Sequence, residues 1–307
     1  MYRKLTLTCG SSASLVTRSI VAIGMLVMLG CASGTQSLAQ RIDDDVTGAV
    51  ALTLPAGDFV LQAVERSGAG EEAWVFIEGD GRPWRAGGQV IAENPTPQKT
   101  PMLDWMLQTQ GPSLYLGRPC YHQPRIEKPC NPLLWTYLRY SETVVAAMQT
   151  ALSAWLESQP QVSRVTLVGH SGGGVLALLL AERMPSAHRV IAMAAPLDID
   201  RWADLHGYGR LVGSINPAQL NQWRGDTRRY LLFGQDDAQV PASAFQQVAR
   251  DIPGARVMLL EGARHDCCTA YICALLGPGK GNDPTSIDSG MSAVLQHYSG
   301  ACPGVAR

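Results

Sequence analysis

The fold prediction for this sequence rests mainly on the stretch Val165-Thr-Leu-Val-Gly-His-Ser-Gly-Gly-Gly174. A short run of β-branched and aliphatic residues meets the pattern Gly-x-Ser-x-Gly at residues 169–173, and an Ala- and Leu-rich helical pattern follows at once. A strand, a sharp turn and a helix in this order are typical of a nucleophile elbow, which exposes its serine. Glycines flank the serine because strand and helix pass close together there, and the serine itself has a strained backbone. Ser171 is therefore a candidate nucleophile.

Composition limits what the chain can be. Its 307 residues are 46% hydrophobic and 17% charged, which suits one large α/β domain with a substantial core. A formal net charge of −1 gives no electrostatic basis for binding nucleic acid, and no Lys/Arg run longer than a pair follows the N-terminal segment. We therefore expect a globular protein that does not bind nucleic acid.

Residues 1–39 have the character of an export leader. Arg3, Lys4 and Arg18 precede the apolar run Ile20-Val-Ala-Ile-Gly-Met-Leu-Val-Met-Leu29, which is short for a membrane span. We therefore expect an exported, periplasmic protein.

Two processing sites compete within this leader. Leu29-Gly-Cys-Ala32 resembles a bacterial lipobox and would place a lipidated Cys31 at the mature N-terminus. The small-residue pattern Ser37-Leu-Ala39 before Gln40 would instead release a soluble protein. Because the cysteine directly follows the apolar run, we favour a membrane-anchored lipoprotein, with a lipid anchor on Cys31.

The cysteine count agrees with an oxidising compartment. Of the eight cysteines, Cys9 and Cys31 belong to the leader, which leaves an even number for disulfides. Cys120 and Cys130 bracket a Pro-rich loop with no other cysteine nearby, so we expect them to pair. The pairing of the other four stays open, and their spacing does not match a structural zinc site; these are Cys267, Cys268, Cys273 and Cys302.

Strands and helices alternate along the rest of the chain. The predicted strands are residues 59–64, 73–77, 113–116, 164–168, 189–193, 229–233 and 256–260, and the predicted helices are residues 141–156, 172–184 and 242–251. This alternation predicts right-handed βαβ crossovers and a mostly parallel sheet with its site at the carboxyl ends of the strands. We expect one domain over residues 46–307, in which residues 198–225 form either a small cap or an ordinary surface excursion.

A serine nucleophile needs a base and an acid that orients the base. Gly-x-x-Asp-x-x-Val-Pro at residues 234–241 follows a late predicted strand and favours Asp237 as the orienting acid, with Asp236 second and Asp198 third. His265 follows the final predicted strand and is the favoured base. The other histidines fall inside the elbow, beside a helix end, in other loops or near the C-terminus.

The order Ser171, Asp237, His265 is the one expected of α/β-hydrolases. On residues 169–173, residues 234–241 and the His265 loop, the chain resembles that superfamily, in the manner of serine esterases and lipases, over roughly residues 59–298. The resemblance implies an α/β-hydrolase fold, with helices on both faces of the central sheet, and catalysis without metal or organic cofactor.

The resemblance also implies an oxyanion hole. One donor is the backbone N–H that follows the nucleophile, at Gly172, and the second comes from the turn after an early strand. That turn reads Glu78-Gly-Asp-Gly81, with glutamate where the family often has histidine. The match indicates the backbone N–H of Asp80 as second donor, with Gly81 as the fallback. Arg118 is expected either to be a solvated loop residue or to meet an anionic substrate group.

These observations predict an exported serine hydrolase that cleaves carboxylic esters or related acyl compounds through an acyl-enzyme. Its partner would be a small-molecule acyl substrate. An amide or peptide hydrolase and an acyltransferase on the same fold are alternatives. A catalytically silent envelope lipoprotein that binds a ligand or partner is the alternative from a different class.

Overall fold

A computed structural model describes residues 37–42, 48–109 and 111–265, all within one structural unit, Gln36–Arg307. The described strands are β1 (Ala49–Ala56), β2 (Phe59–Arg66), β3 (Glu72–Ile77), β4 (Trp84–Arg85), β5 (Val90–Ile91), β6 (Ser113–Leu116), β7 (Arg164–His170), β8 (Ala187–Met193), β9 (Arg228–Gly234) and β10 (Ala255–Leu260). The described α-helices are α1 (Leu38–Arg41), α2 (Pro101–Gln108), α3 (Glu142–Glu157), α4 (Gly172–Ala181), α5 (Ile199–His206) and α6 (Ala242–Asp251). None of these helices is long and apolar enough to cross a membrane.

Eight of the strands form one sheet in the order β1-β2-β6-β3-β7-β8-β9-β10. β1 with β2 and β2 with β6 are antiparallel, and the remaining neighbours are parallel. The mostly parallel sheet is thus confirmed. β7 lies near its centre, where Val168 pairs with Phe76 of β3 and Ile191 of β8. Central strands buried on both faces read as continuous apolar runs, which explains why this stretch was readable from sequence.

The two faces of the sheet bury different clusters. Successive strand residues point to opposite faces. Val75 therefore belongs to the buried cluster that contains residues of α3, α4 and α6, whereas Phe76 belongs to the cluster that contains residues of α2 and Leu38 of α1. Helices therefore cover both faces, as predicted. The loops that carry the candidate site follow the carboxyl ends of the parallel strands.

The helix boundaries have local causes. α3 begins after Ser141, whose hydroxyl accepts the N–H of Val144 as an N-cap. α4 ends at Ala181 rather than near residue 184, because the N–H of Arg183 donates back to the Leu180 carbonyl in a tighter turn. The sequence does not predict α2 or β1. α2 is only eight residues long and follows a Pro-rich stretch, so its helical pattern is brief.

Residues 198–225 contain α5 and a 3-10 helix, Pro217–Gln219. Ile199 and Leu211 join the same core as α3 and α4, so this segment is packed into the domain at both places. Its role as a cap stays a prediction.

Candidate active site

Ser171 lies between the end of β7 and the start of α4. Its backbone has φ +53° and ψ −124°, a conformation that a residue with a side chain rarely adopts. Two hydrogen bonds hold it: the Ser171 N–H donates to the Met193 carbonyl at 2.8 Å, and the Ser171 carbonyl accepts the Gly174 N–H at 2.9 Å. A Cβ on Gly169 would overlap the Gly173 carbonyl, so strand and helix require glycine there.

Three predicted residues meet at this turn. The imidazole Nε2 of His265 lies 3.1 Å from Ser171 Oγ, and its Nδ1 lies 2.9 Å from Asp237 Oδ2. A carboxylate only accepts, so Nδ1 carries the proton and Nε2 of the neutral ring can accept the serine hydroxyl. This is the arrangement in which a histidine can remove a proton from serine.

The Asp237 carboxylate is itself fixed. Asp237 is 4% exposed, and its Oδ1 accepts the N–H groups of Gln239 and Val240, both at 2.8 Å. Burial raises the pKa of this carboxyl, but the hydrogen bond from His265 and those from the two amides outweigh it, so the pKa lies below its usual value. Asp237 is therefore ionised and oriented toward His265.

The two other aspartates considered as the acid are placed differently. Asp236 is exposed, and its N–H donates to the Ala263 carbonyl. Asp198 is the N-cap of α5, where its Oδ1 accepts the N–H groups of Asp200 and Arg201. The structure brings neither of them to His265 in place of Asp237.

His170 has a role that the sequence does not reveal. It is buried, and its Nε2 lies 2.9 Å from the main-chain carbonyl of His265, which can only accept, so this nitrogen donates. Burial, followed by the nearby His265 ring, lowers the pKa of His170 to about 4. The neutral His170 thus ties the backbone of the His265 loop to the end of β7. Its position beside Ser171 was the one available indication.

The turn after β3 packs against the elbow. A Cβ on Gly79 would lie 3.5 Å from His170 Nδ1 and 3.6 Å from Ser171 Cβ, so this turn approaches the nucleophile closely. Gly172 is the first residue of α4, and the first N–H groups of a helix have no intrahelical acceptor. Gly81, the fallback donor, has φ +67° and packs against Pro95 instead. Gly172 and Asp80 stay the predicted backbone donors.

The Asp80 side chain is enclosed by three donors. Arg118 Nη1 donates to its Oδ1 at 2.7 Å, while Arg139 Nη1 and the Tyr140 hydroxyl donate to its Oδ2 at 2.9 Å and 2.6 Å. The Asp80 carbonyl accepts the Tyr121 hydroxyl at 2.9 Å. Burial raises the pKa of the Asp80 carboxyl, but Arg118, Arg139 and Tyr140 outweigh it and hold that pKa far below its usual value.

The expectation of a solvated Arg118 is wrong. Its side chain is 4% exposed, and it donates to Asp80 and to the Glu78 carbonyl. A contact with an anionic substrate group stays a prediction. A buried arginine in a loop has no distinguishing sequence pattern, since its partner lies 38 residues away. Arg139 and Tyr140 were missed for the same reason: only the fold brings them to Asp80.

Glu78 occupies the position where histidine was expected by resemblance. It is 7% exposed, and its carboxyl group accepts the N–H of Gly79 at 3.2 Å and the N–H of Met102 in α2 at 3.1 Å. Burial raises its pKa to about 7 despite these two hydrogen bonds and the nearby Arg118. Glu78 therefore links the start of α2 to the turn that carries Asp80.

Cys120 and Cys130 lie at disulfide distance, with Cα atoms 5.6 Å apart. The covalent bond stays a prediction. The other cysteines considered above, Cys31 included, fall outside the described residues. Within residues 37–42, 48–109 and 111–265, no group of three or more His, Cys, Asp or Glu side chains could hold a metal ion.

Comparisons with known proteins agree with this architecture. The model of the lipase (class 3) family matches residues 124–201, which include the elbow. No curated protein matches the chain. Solved structures similar to it include two crystal forms of a Pyrococcus furiosus esterase. One has a TM-score of 0.54 at 9% identity, covering 87% of this chain and 97% of the esterase. The other has a TM-score of 0.52 at 12% identity, covering 72% and 84%.

A Pyrococcus horikoshii acylaminoacyl peptidase is also similar, with a TM-score of 0.51 at 12% identity, covering 84% of this chain and 43% of the peptidase. At such identities the likeness shows the fold alone. Together with the sheet order and the elbow, it shows that this chain has the α/β-hydrolase fold. The fold that the resemblance implied is thereby confirmed.

Proposed function

We propose that this protein is an exported serine hydrolase that cleaves carboxylic esters through Ser171, His265 and Asp237. The observation that carries the proposal is the hydrogen-bonded chain from Ser171 Oγ through His265 to a buried, ionised Asp237, with the serine on a strained elbow. A structural cluster would not need the serine to hold φ +53°.

The proposed reaction begins with proton transfer. His265 Nε2 accepts the Ser171 hydroxyl proton as Oγ bonds to the substrate carbonyl carbon, and Asp237 stabilises the imidazolium. The carbonyl oxygen becomes an oxyanion that accepts the N–H groups of Gly172 and Asp80. His265 then protonates the leaving alkoxide as the ester bond breaks, which leaves an acyl-enzyme.

The second half of the reaction uses water. Water enters after the alcohol leaves, and His265 removes its proton as its oxygen bonds to the acyl carbon. The second oxyanion uses the same two N–H groups. His265 returns the proton to Ser171 as the acid departs, so no proton is gained or lost by the enzyme over one cycle.

Carboxylic esters are the favoured substrates. The family model that matches the elbow region is named for lipases, and the similarity to the esterase structures extends over most of the length of those esterases. The similar peptidase makes amide hydrolysis the second candidate within the same chemistry. Export and attachment through Cys31 are part of the proposal and rest on the leader sequence and the proximity of Cys120 and Cys130.

A fluorophosphonate probe tests the nucleophile. We expect the wild type to be labelled and to hydrolyse p-nitrophenyl acetate. Ser171→Ala should lose the label and at least about 10³-fold in kcat, as expected when a triad nucleophile is removed. Ser67→Ala, at an exposed position after β2, is the matched control and should retain both.

Two outcomes would contradict parts of the proposal. A folded wild type that resists the probe and all esters would indicate the catalytically silent lipoprotein. Turnover of aminoacyl amides but no oxygen or thiol esters would show that the ester assignment is wrong while Ser171 remains the nucleophile.

A further inference from the structure

The Asp80 carboxylate lies against Gly172, whose N–H is one of the two proposed oxyanion donors. A Cβ on Gly172 would overlap Asp80 Oδ1 and the Tyr140 hydroxyl, so these oxygens contact the first residue of α4 directly. α4 has ten residues, and its N-terminus presents N–H groups without intrahelical acceptors. Such a terminus attracts any anion. A free carboxylate at this distance would compete with the substrate oxyanion for the Gly172 N–H.

Three donors prevent that competition. We propose that Arg118, Arg139 and Tyr140 form a clamp that holds the Asp80 carboxylate out of the oxyanion hole and fixes the Asp80 N–H for the substrate. The inference rests on the proposed function, because it assigns these side chains to the same oxyanion hole. They touch Asp80 rather than substrate, so they are positioning residues.

The clamp is built for rigidity. Arg118 and Arg139 side chains are 4% and 5% exposed, and each has a second anchor: Arg118 Nη2 donates to the Glu78 carbonyl at 2.9 Å, and Arg139 Nε donates to the Thr136 carbonyl at 2.6 Å. The Tyr121 hydroxyl holds the Asp80 main chain as well. The residue is therefore fixed through its side chain and its backbone.

The charge balance of the clamp also favours an oxyanion. Two guanidinium groups face one carboxylate, so Arg118, Arg139 and Asp80 together carry a net charge of +1 beside the N-terminus of α4. The neighbouring Glu78, whose pKa is about 7, adds a negative charge only as the pH rises above that value. Low local polarity strengthens the attraction between the net positive charge and a negative oxygen. Replacing one arginine by a neutral residue would lower this net charge by one and would leave the carboxylate free to reorient toward Gly172, and both changes disfavour an oxyanion.

The test compares clamp variants with a suppressor. In Arg139→Gln we expect kcat for p-nitrophenyl acetate to fall about 10²-fold, the size of losing one oxyanion donor, while KM changes less than about threefold. Tyr140→Phe keeps both arginines and should lose about tenfold in kcat, because one of three donors to the carboxylate is gone. Arg183→Gln, which breaks a surface ion pair with Glu142, is the matched control and should keep wild-type kinetics.

The decisive variant adds Asp80→Asn to Arg139→Gln. A neutral amide competes far less for a helix N-terminus, so the double variant should recover about tenfold in kcat over Arg139→Gln alone. A clamp that served stability only would predict the reverse, since the second change removes a further partner from Arg118. If Arg139→Gln does not fold, Tyr140→Phe is compared with and without Asp80→Asn instead.

A second readout isolates the oxyanion. A long-chain trifluoromethyl ketone forms an anionic hemiketal on the serine, and its Ki should rise in the clamp variants in proportion to the loss in kcat. Variants that label with fluorophosphonate and match wild-type kcat and Ki would overturn the clamp alone. A wild type without labelling or turnover would overturn the proposed function and the clamp with it.

Discussion

At the scale of single residues, burial sets the charge states around Ser171. His170 and Glu78 are both buried, and burial is the largest influence on the pKa of each: it favours the uncharged form in both cases. Asp80 and Asp237 are also buried, yet specific donors keep each of them ionised. The hydrogen-bond donors around each buried side chain thus determine whether that side chain is charged or neutral.

Glu78 gives a pH-dependent prediction. Its pKa rises from 4.5 in the unfolded chain to about 7 in the folded protein. Between these values the folded state holds a proton that the unfolded state releases, so its contribution to stability is complete below about pH 4.5 and is lost as pH rises toward 7, by about 3 kcal/mol. Glu78→Gln removes this loss.

The measurement is the free energy of unfolding in urea at pH 5 and pH 8. From pH 5 to pH 8 we expect the free energy of unfolding of the wild type to fall relative to that of Glu78→Gln. Any change that the amide makes to the hydrogen bonds with Gly79 and Met102 is the same at both pH values and cancels in the comparison. Glu71→Gln, at an exposed position before β3, should instead keep the wild-type pH dependence. An equal wild-type minus Glu78→Gln difference at both pH values would show that Glu78 does not titrate in this range.

At the scale of elements, the short helix α1 bears on how the leader is processed. Ser37 caps it, and Arg41 donates to the Gln98 carbonyl at 3.0 Å. Leu38 is 2% exposed and belongs to the buried cluster that also contains residues of α2. Cleavage after Ala39 would remove Leu38 and the cap. Cleavage before Cys31 would retain them all, so the packing of α1 favours the lipobox.

We therefore expect the mature protein to begin upstream of Ser37, as N-terminal mass mapping of membrane-derived protein would show, with palmitate incorporation lost in Cys31→Ala. Leu38→Ala should destabilise the protein by about 2–3 kcal/mol, the range for a buried leucine. Leu205→Ala, where the side chain is 52% exposed, should change stability by less than about 0.5 kcal/mol. A mature N-terminus at Gln40 would exclude lipidation and leave α1 incomplete.

At the scale of the whole molecule, the connection from β6 to α3 supplies the side chains that surround Asp80. It carries Arg118 and Tyr121 at its start and Arg139 and Tyr140 at its end, and the Cys120–Cys130 pair lies between them. Residues from both ends of this connection meet at Asp80. The stability of the connection would therefore affect the proposed oxyanion hole directly.

Peptide mapping without reductant should recover Cys120 and Cys130 joined. Because the bond would close a loop between residues ten apart, its removal in Cys120→Ser/Cys130→Ser should cost about 2–3 kcal/mol of stability. Reductant should lower the stability of the wild type. In the double variant it should have no effect through positions 120 and 130, because no bond remains there to be reduced. Two free thiols at these positions would contradict both the bond and the argument for an oxidising compartment.

The strand, elbow and helix around Ser171 could be predicted from the amino-acid sequence, because β7 is mostly apolar, α4 is wholly apolar, and glycine marks their close approach. The candidates Asp237 and His265 could be predicted as well, since each follows a strand in a recognisable order. These features depend on residues that are close together in the chain, so the sequence shows them directly.

The surroundings of Asp80 could be known only from the folded protein. Its three donors come from positions 38, 59 and 60 residues away, and the contact of its carboxylate with Gly172 depends on how β3 and β7 are paired. The Arg118 side chain could be assigned to a buried cluster only once its partners were in place. Hydrogen bonds between distant residues follow from packing, so no periodicity or spacing in the chain encodes them visibly.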